Sequence, residues 1–390
     1  MDPVVIVAAA RTPLGAFNGN FKSVSCIDLG SNVIKKVSED VAAKIDSVYM
    51  GCVLSAGLGQ SAARQAAISA GIDNSVNCTN INKICGSGMT SVMMARNSIL
   101  AGESEIAIAG GMESMSNAPY LLEKARFGYR FGDGKIIDHM VRDGLLDAYE
   151  KCVMGVYAEH TVEKYSFTRE DQDSYAEKSF LKARKALENG FFKNEISPLI
   201  IKSKKSETKI DTDEVPFSVD LAKIPTLKPA FKENGTITAA SASSIADGAA
   251  ALLIMTESKA MQLGLVPLAR IVAQSSHSQS PKSFTTAPIG AVKSVLEKSN
   301  WQISDIDLFE INEAFAVVAM AAIKELSIDP EKVNIFGGAC AVGHPLGASG
   351  TRVIVTLLNA MKMTNAKRGL ATLCVGGGEG VAMTFERISV

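Results

Sequence analysis

The chain has 390 residues, of which 40 are Lys or Arg and 41 are Asp or Glu. This near-zero net charge creates no overall field that would attract nucleic acid or an anionic membrane, so any anionic ligand must be bound by local groups. The length exceeds what one ordinary hydrophobic core accommodates and implies two or three domains.

The first third of the chain alternates strand-like apolar runs with helical spacing of apolar residues. This alternation indicates an α/β domain with a buried sheet. The predicted strands are Val4–Ala9, Ser47–Val53, Val76–Ile84 and Glu105–Ala109. The predicted helices lie near Ile27–Glu39, Gln60–Ala70 and Ser87–Ala101.

The middle of the chain differs because it carries most of the long charged stretches. Its apolar spacing predicts helices near Gly155–Lys164 and Arg169–Asn189. We interpret segment 118–244 as an inserted, α-rich loop domain that covers a site.

The last third returns to the alternating α/β pattern. Its predicted strands are Ala269–Ala273, Asp307–Ile311, Val333–Ile335, Leu370–Val375 and Val381–Glu386, with "GGGEG" at 376–380 as a hairpin turn. The order of small-residue turn, helix, strand and glycine cluster occurs in both outer thirds, which indicates an internal duplication. The predicted halves are residues 1–117 with 245–266, and residues 267–390.

Seven cysteines are spread over the chain without a CxxC pair. The odd number argues against a disulfide framework and the spacing against a structural zinc site, so we expect a reducing compartment and no bound metal. The first strand begins too early for a cleavable signal peptide, and no apolar run approaches membrane-spanning length. We therefore expect a cytoplasmic protein that does not associate with membranes.

The stretch "NKICGSGM" places Cys85 between a predicted strand and a predicted helix. Unpaired N–H groups and the helix dipole favour the thiolate at such a position. Gly86 and Gly88 permit a sharp turn and a close approach of a ligand to the backbone. A buried, inert cysteine is the alternative, and this stretch alone does not decide between the two.

Four further stretches stand out: "GTITAASASSIADGAA" at 235–250, "INEAF" at 311–315, "GGACAVGHPLGASG" at 337–350 and "CVGGGEG" at 374–380. Together with "NKICGSGM", and in this order, they resemble the thiolase family over nearly the whole chain. Thiolases join or cleave acyl groups on coenzyme A (CoA) thioesters. The resemblance implies a thiolase-like α/β fold of two duplicated halves in five αβαβα layers, each half with a five-stranded sheet, and CoA thioesters that are substrates rather than cofactors.

The resemblance also assigns catalytic roles. Cys85 matches the family's acylated cysteine, His344 the base that activates it, and Cys374 the second cysteine, which abstracts an α-proton and later returns it. Asn312 resembles the asparagine that holds a water which, with the histidine, binds the enolate oxygen. The N–H groups of Cys85 and Gly376 resemble a second oxyanion hole.

A further set of residues resembles the lining of the pantetheine channel and the acyl site: Leu145, Met154, Ala239, Ala242, Ser243, Ala314 and Phe315. The inserted segment would then cover CoA, with its lysines near the phosphates. Cys340 fits no catalytic position, and we interpret it as a packing residue. Glu313 is either a network residue or, more simply, a helix-start carboxylate.

The closest branch by resemblance is acetyl-CoA C-acetyltransferase, which condenses two acetyl-CoA reversibly to acetoacetyl-CoA and CoA through an S-acetyl-cysteine. Val153 and Phe284 depart from the pattern of acetyl-selective members, so a degradative 3-ketoacyl-CoA thiolase of fatty acid β-oxidation is the alternative. An acyl-CoA-binding protein without turnover would be favoured had Cys85, His344 or Cys374 been missing. Family members are mostly dimers or dimers of dimers, so we expect a homo-oligomer, with the tetramer as its form.

Overall fold

The computed structural model describes residues 2–202 and 206–388. The strands are β1 Val4–Arg11, β2 Gly15–Ala16, β3 Ser47–Gly51, β4 Asn77–Ile81, β5 Ile106–Ser114, β6 Tyr120–Leu121, β7 Ile137–Asp138, β8 Leu199–Lys202, β9 Glu207–Ile210, β10 Ala246–Thr256, β11 Ala269–Ser278, β12 Leu308–Ile311, β13 Arg368–Val375 and β14 Glu379–Arg387. The α-helices are α1 Cys26–Ser38, α2 Ala62–Ser69, α3 Ser87–Leu100, α4 Met154–Tyr165, α5 Arg169–Glu188, α6 Glu257–Gln262, α7 Ala287–Ser299, α8 Ala316–Leu326, α9 Ala339–Val342 and α10 Leu346–Thr364.

The main sheet has the strand order β12-β13-β14-β11-β1-β10-β5-β3-β4, and β2 pairs with β10. Its two halves meet only where β1 and β11 pair, through Val5 with Arg270 and Ile6 with Ala269. The N-terminal half-sheet therefore has five strands along this path, in the order β1-β10-β5-β3-β4. Among the described residues, the C-terminal half-sheet holds four strands, β11, β14, β13 and β12, rather than the five expected, because Val333–Ile335 does not form a strand.

Side chains on alternate strand positions enter different cores, which shows the layering. On β1, Val4 and Ile6 pack into the cluster that contains α3 and α10, whereas Val5 packs into the cluster that contains α1 and α2. On β14, Val381 packs toward α3 and α10, whereas Ala382 packs toward α7 and α8. Helices α3 and α10 thus lie between the half-sheets, and the order of layers is the predicted αβαβα.

The inserted segment lies between β5 and β10 in the chain. Its predicted helices are confirmed as α4 and α5, which pack against α8, and α5 also contacts α9. It further carries two short hairpins, β6–β7 and β8–β9, that the sequence did not predict. The domain limits 1–117 with 245–266, 118–244 and 267–390 stay predictions.

The structure departs from the predicted strands in three places. The whole of β10 was missed, because its Ala-, Leu- and Met-rich sequence carries little β-branched signal, although it lies between β1 and β5. The predicted strand Val333–Ile335 is wrong, since Val333 makes only an isolated bridge to Phe309. Strand β4 ends at Ile81, before a tight turn, rather than at Ile84 as predicted. The predicted hairpin at 376–380, in contrast, is confirmed by the pairing of Cys374 with Gly380.

The N-terminal end of α10 approaches the N-terminal half very closely. A Cβ atom at Gly88 would lie 2.8 Å from the backbone nitrogen of Thr351, and one at Gly111 would clash with the carbonyl oxygen of Gly347. Glycine is therefore required at these positions for spacing rather than for backbone freedom. Within 2–202 and 206–388, no helix is long and apolar enough to cross a membrane.

Replacing Gly111 with Ala tests this packing. The added methyl group would push β5 away from the first turn of α10, and we expect a loss of about 1–3 kcal/mol in stability, the usual cost of overpacking. The measurement is the melting temperature of the purified variant. Gly376→Ala is the control, because its methyl would meet Ile84 at an ordinary 3.6 Å; an equal melting temperature for both variants would contradict the packing argument.

Candidate active site

A strained turn presents Cys85 to the interior. Ile84 has φ 46°, a left-handed conformation that is rare for a β-branched residue and costs of order 1–3 kcal/mol. The Ser87 hydroxyl holds this turn, since it accepts from the Lys83 N–H at 2.8 Å and donates to the Ile84 carbonyl at 2.7 Å. Cys85 therefore lies directly before Gly86, the N-cap of α3, as predicted.

The stretch of small residues at 241–244 contacts both the motif at 311–315 and the motif at 337–350 through the backbone. The Ser243 N–H donates to the Ala314 carbonyl at 3.0 Å, and Ala242 forms a bridge with Phe315. The His344 N–H in turn donates to the Ser244 carbonyl at 2.9 Å. Small side chains allow these backbones to lie side by side.

A cavity of about 600 Å³ lies between these segments. Three predicted catalytic residues line it, namely Cys85, Gly376 and His344. All seven residues predicted for CoA and the acyl group line it too: Leu145, Met154, Ala239, Ala242, Ser243, Ala314 and Phe315. Segments from both halves and from the insertion thus form one cavity, which has the size and apolar character of a small-molecule site.

The Cys85 thiol is more weakly acidic than its position before a helix predicts. Burial raises its pKa to about 11, although the N–H groups of Gly376 and of Cys85 itself point at the sulfur and lower it. The two N–H groups that the resemblance assigns to the second oxyanion hole therefore lie beside the Cys85 sulfur. The expectation of a thiolate favoured by the helix is wrong for the free protein, because desolvation outweighs the dipole.

His344 is buried and neutral. Burial, followed by the positive charge of Arg352, lowers its pKa to about 3. Its Nδ1 lies 2.6 Å from the Ser349 hydroxyl, whereas its Nε2 is buried without a hydrogen-bond partner. An imidazole with one nitrogen held and the other free, on the same cavity as Cys85, is arranged to accept a proton from that thiol.

Asn312 and Cys374 lie behind the cavity wall. The Asn312 amide nitrogen is 3.5 Å from Nδ1 of His344, and the residue is fully buried. Cys374, near the end of β13, is also fully buried, and its pKa is raised well above the ordinary value by burial and then by the charge of Cys85. Neither Asn312 nor Cys374 is among the residues that line the cavity.

Glu313 and Cys340 belong to a buried network beside the site. Glu313 accepts from the Tyr175 and Ser179 hydroxyls at 3.0 and 2.7 Å and from the Asn334 amide at 2.8 Å. It also accepts from the Cys340 N–H at 3.1 Å. Glu313 is therefore a network residue, not a helix-start carboxylate, and Cys340 packs against it as interpreted from the sequence.

Three buried polar residues near the site were missed in the sequence. The Ser349 hydroxyl contacts His344, and Arg352 donates to the side-chain amide oxygen of Asn312 at 3.2 Å. The Glu113 carboxylate accepts from the Gly347 N–H at 2.8 Å. Ser349 and Arg352 are three apart on α10, a spacing that places them on one helix face. The spacing of Ser349 and Arg352 was visible in the sequence, but the sequence did not show that they contact His344 and Asn312.

No group of three or more His, Cys, Asp or Glu side chains in the described ranges is placed to hold a metal ion.

The family of the chain follows from comparison with known proteins. Residues 4–258 match the model of the thiolase N-terminal domain, and residues 265–387 match that of the thiolase C-terminal domain. The chain belongs to the thiolase family.

Relatives cover the full length of the chain. It is 48% identical to the acetyl-CoA acetyltransferase of Escherichia coli K12 over 100% of both chains, and 47% identical to that of Cupriavidus necator over 99% of this chain and all of the relative. A probable acetyl-CoA acyltransferase of Staphylococcus aureus is 45% identical, again over 99% of this chain and 100% of the relative. The crystal structure of a thiolase from Ascaris suum in complex with coenzyme A is 41% identical, with a TM-score of 0.94 over 99% of this chain and 100% of that one.

The two shifted pKa values predict how Cys85 reacts with iodoacetamide. His344 is neutral above about pH 3 and the Cys85 thiol stays protonated below about pH 11, so the reacting thiol–imidazole pair keeps one protonation state between these limits. We expect an alkylation rate that is nearly constant from about pH 6 to pH 9, measured by mass spectrometry of the Cys85 peptide.

The half-buried Cys78 is the internal control, since an ordinary thiol reacts about tenfold faster per pH unit below its pKa. In His344→Ala, the flat rate at Cys85 should fall by about 10²-fold, as expected for loss of a general base. A Cys85 rate that climbs with pH like that of Cys78 in the unmodified protein would contradict the assignment.

Proposed function

We propose that this chain is an acetyl-CoA C-acetyltransferase that works by a ping-pong mechanism through S-acetyl-Cys85. The observation that carries the proposal is the single cavity that Cys85, His344 and Gly376 line together with all seven residues predicted to contact CoA. Membership of the thiolase family and the names of the full-length relatives support the same activity.

In the first half-reaction, Cys85 takes the acetyl group from acetyl-CoA. Neutral His344 accepts the thiol proton at Nε2 while the sulfur attacks the thioester carbonyl. The N–H groups of Cys85 and Gly376 then stabilise the tetrahedral oxyanion, and one such donor is worth about 3 kcal/mol of barrier. Because thioester exchanges with thioester, the acetyl-enzyme is close in energy to the substrate.

In the second half-reaction, Cys374 removes an α-proton from a second acetyl-CoA. The CoA thiolate that leaves in the first half-reaction takes the proton of Cys374. Because the pKa of Cys374 is raised, the resulting thiolate is a strong base, which suits a weakly acidic carbon. Asn312, through a water, and His344 stabilise the enolate oxygen. The enolate attacks the acetyl carbon on Cys85, acetoacetyl-CoA is released, and the departing Cys85 sulfur takes back its proton from His344.

The decisive assay mixes purified protein with acetoacetyl-CoA and free CoA and follows the loss of enolate absorbance. We expect loss only when CoA is present, and Cys85→Ala should abolish it because no other thiol takes the acetyl group. No loss with the unmodified protein would overturn the proposed activity.

The acyl-chain range is tested in the same assay with longer 3-ketoacyl-CoA substrates. Phe284 is buried and packs edge to face on Phe315 with ring centroids 6.3 Å apart. Both rings line the cavity together with Val153 and Met154, so they limit the space for a longer acyl chain. We expect acetoacetyl-CoA to be cleaved fastest. Comparable rates with six- to ten-carbon substrates would favour the broader degradative thiolase of fatty acid metabolism instead.

We further propose that the chain forms a homotetramer through the segment that includes β6 and β7. This segment exposes large apolar side chains, with Phe131 fully exposed and Phe127 and Ile136 exposed by 83% and 71%. Contiguous exposed apolar groups of this size mark association surfaces. A second copy of the chain is the occupant that the expected symmetry requires.

The variant Phe127→Ser/Phe131→Ser tests this surface. We expect its mass by light scattering to fall from that of a tetramer to that of a smaller species, because the apolar contact is lost. Met261→Ser, which changes an exposed apolar residue on α6, should leave the mass unchanged. A double variant with the mass of the unmodified protein would contradict the proposed surface.

The compartment and the cofactor requirement stay proposals. All seven cysteines are free, which suits a reducing compartment such as the cytoplasm. Two thiols and one imidazole supply the nucleophile and both bases, so the proposed chemistry needs no additional cofactor, and CoA thioesters enter as substrates.

A further inference from the structure

The direction of the Asn312 side-chain amide is set by Arg352. A guanidinium group only donates hydrogen bonds, so the amide oxygen of Asn312 must face its NH2 group, 3.2 Å away. The amide nitrogen then faces the opposite way, toward His344 at 3.5 Å. Without this partner, the buried amide could turn by 180° and present its oxygen to the site.

Arg352 is itself held in place by burial and by an ion pair. It lies two turns into α10, is 2% exposed, and pairs with Glu310 at 3.4 Å. Glu310 and Ile311 are the last two residues of β12, and Asn312 is the next residue in the chain. Residues two apart on an extended chain face the same side, so one guanidinium group reaches both of them.

We propose that Arg352 is a positioning residue for the carbon–carbon bond-forming half-reaction, because it fixes the Asn312 amide with its NH2 group toward the enolate oxygen. The inference rests on the proposed function. Arg352 does not line the cavity, so it acts on the substrate through Asn312 and, by its charge alone, through His344; the variant Arg352→Lys preserves that charge. Asn312 serves the enolate and not the acetylation of Cys85, whose oxyanion is held by the N–H groups of Cys85 and Gly376.

A positioning role predicts a selective defect. Acetyl transfer between acetyl-CoA and labelled CoA passes through no enolate, so it should persist without Arg352. Thiolysis of acetoacetyl-CoA passes through the enolate and should slow, since a misplaced group commonly costs about 10²-fold. A residue that merely supports the fold would lower both rates together.

The test compares Glu310→Gln with the double variant Glu310→Gln/Arg352→Met. The single variant keeps the contact of Arg352 with Asn312, while the double variant removes that contact without leaving a buried unpaired carboxylate. We expect Glu310→Gln to stay close to the unmodified protein in both assays. We expect the double variant to lose about 10²-fold in kcat for thiolysis with CoA exchange retained.

The variant Arg352→Lys provides a second test of the same role if the double variant does not fold. Lysine keeps the charge but loses the planar fork that reaches both partners, so thiolysis should slow selectively by about tenfold. Equal loss in both assays, or no loss in either, overturns the positioning role. Absence of thiolysis in the unmodified protein would instead overturn the proposed function, so the two failures are distinguishable.

Discussion

The close contact between the first turns of α3 and α10 is the constraint on which the rest of the site depends. No side chain fits at Gly88, where a Cβ would lie 2.8 Å from the backbone of Thr351. Because α3 begins just after Cys85 and α10 just after His344, this contact brings the turns of both halves to one cavity. Glu113 ties the same junction, since its carboxylate accepts from backbone N–H groups on both sides.

The site keeps its reactive groups neutral until substrate arrives. Burial raises the pKa of Cys85 and lowers that of His344, so neither carries a charge in the resting protein near pH 7. Because the cavity contains no preformed Cys85–His344 ion pair, an uncharged thioester can bind without removing water from such a pair. In the proposed mechanism, positive charge then develops on His344 and negative charge on the acyl oxygen, where fixed N–H donors stabilise it; preorganised donors of this kind are among the largest contributions to catalysis.

The sequence predicted what continuous motifs encode and missed what packing decides. Apolar periodicity and glycines predicted the turn and helix around Cys85, and ordered motifs predicted the residues that line the cavity. The helix dipole predicts a lowered pKa for that thiol, whereas burial, which local sequence does not encode, raises it. Strand β10 escaped prediction because the helices that bury its two faces, α1 on one side and α3 and α10 on the other, are distant in the chain. Arg352 escaped it because it lies 40 residues from Asn312 in the chain.

The central claim is that both sulfurs act at one site, Cys85 on the thioester carbonyl and Cys374 on the α-carbon of a second thioester. The variant Cys374→Ser tests this claim most directly in D2O with acetyl-CoA. The account predicts, by mass spectrometry, an acetyl group on the Cys85 peptide and no deuterium in the methyl group of acetyl-CoA. The unmodified protein should show both the acetyl group and the deuterium. Acetylation at another residue, or deuterium uptake that persists in the variant, would contradict the account.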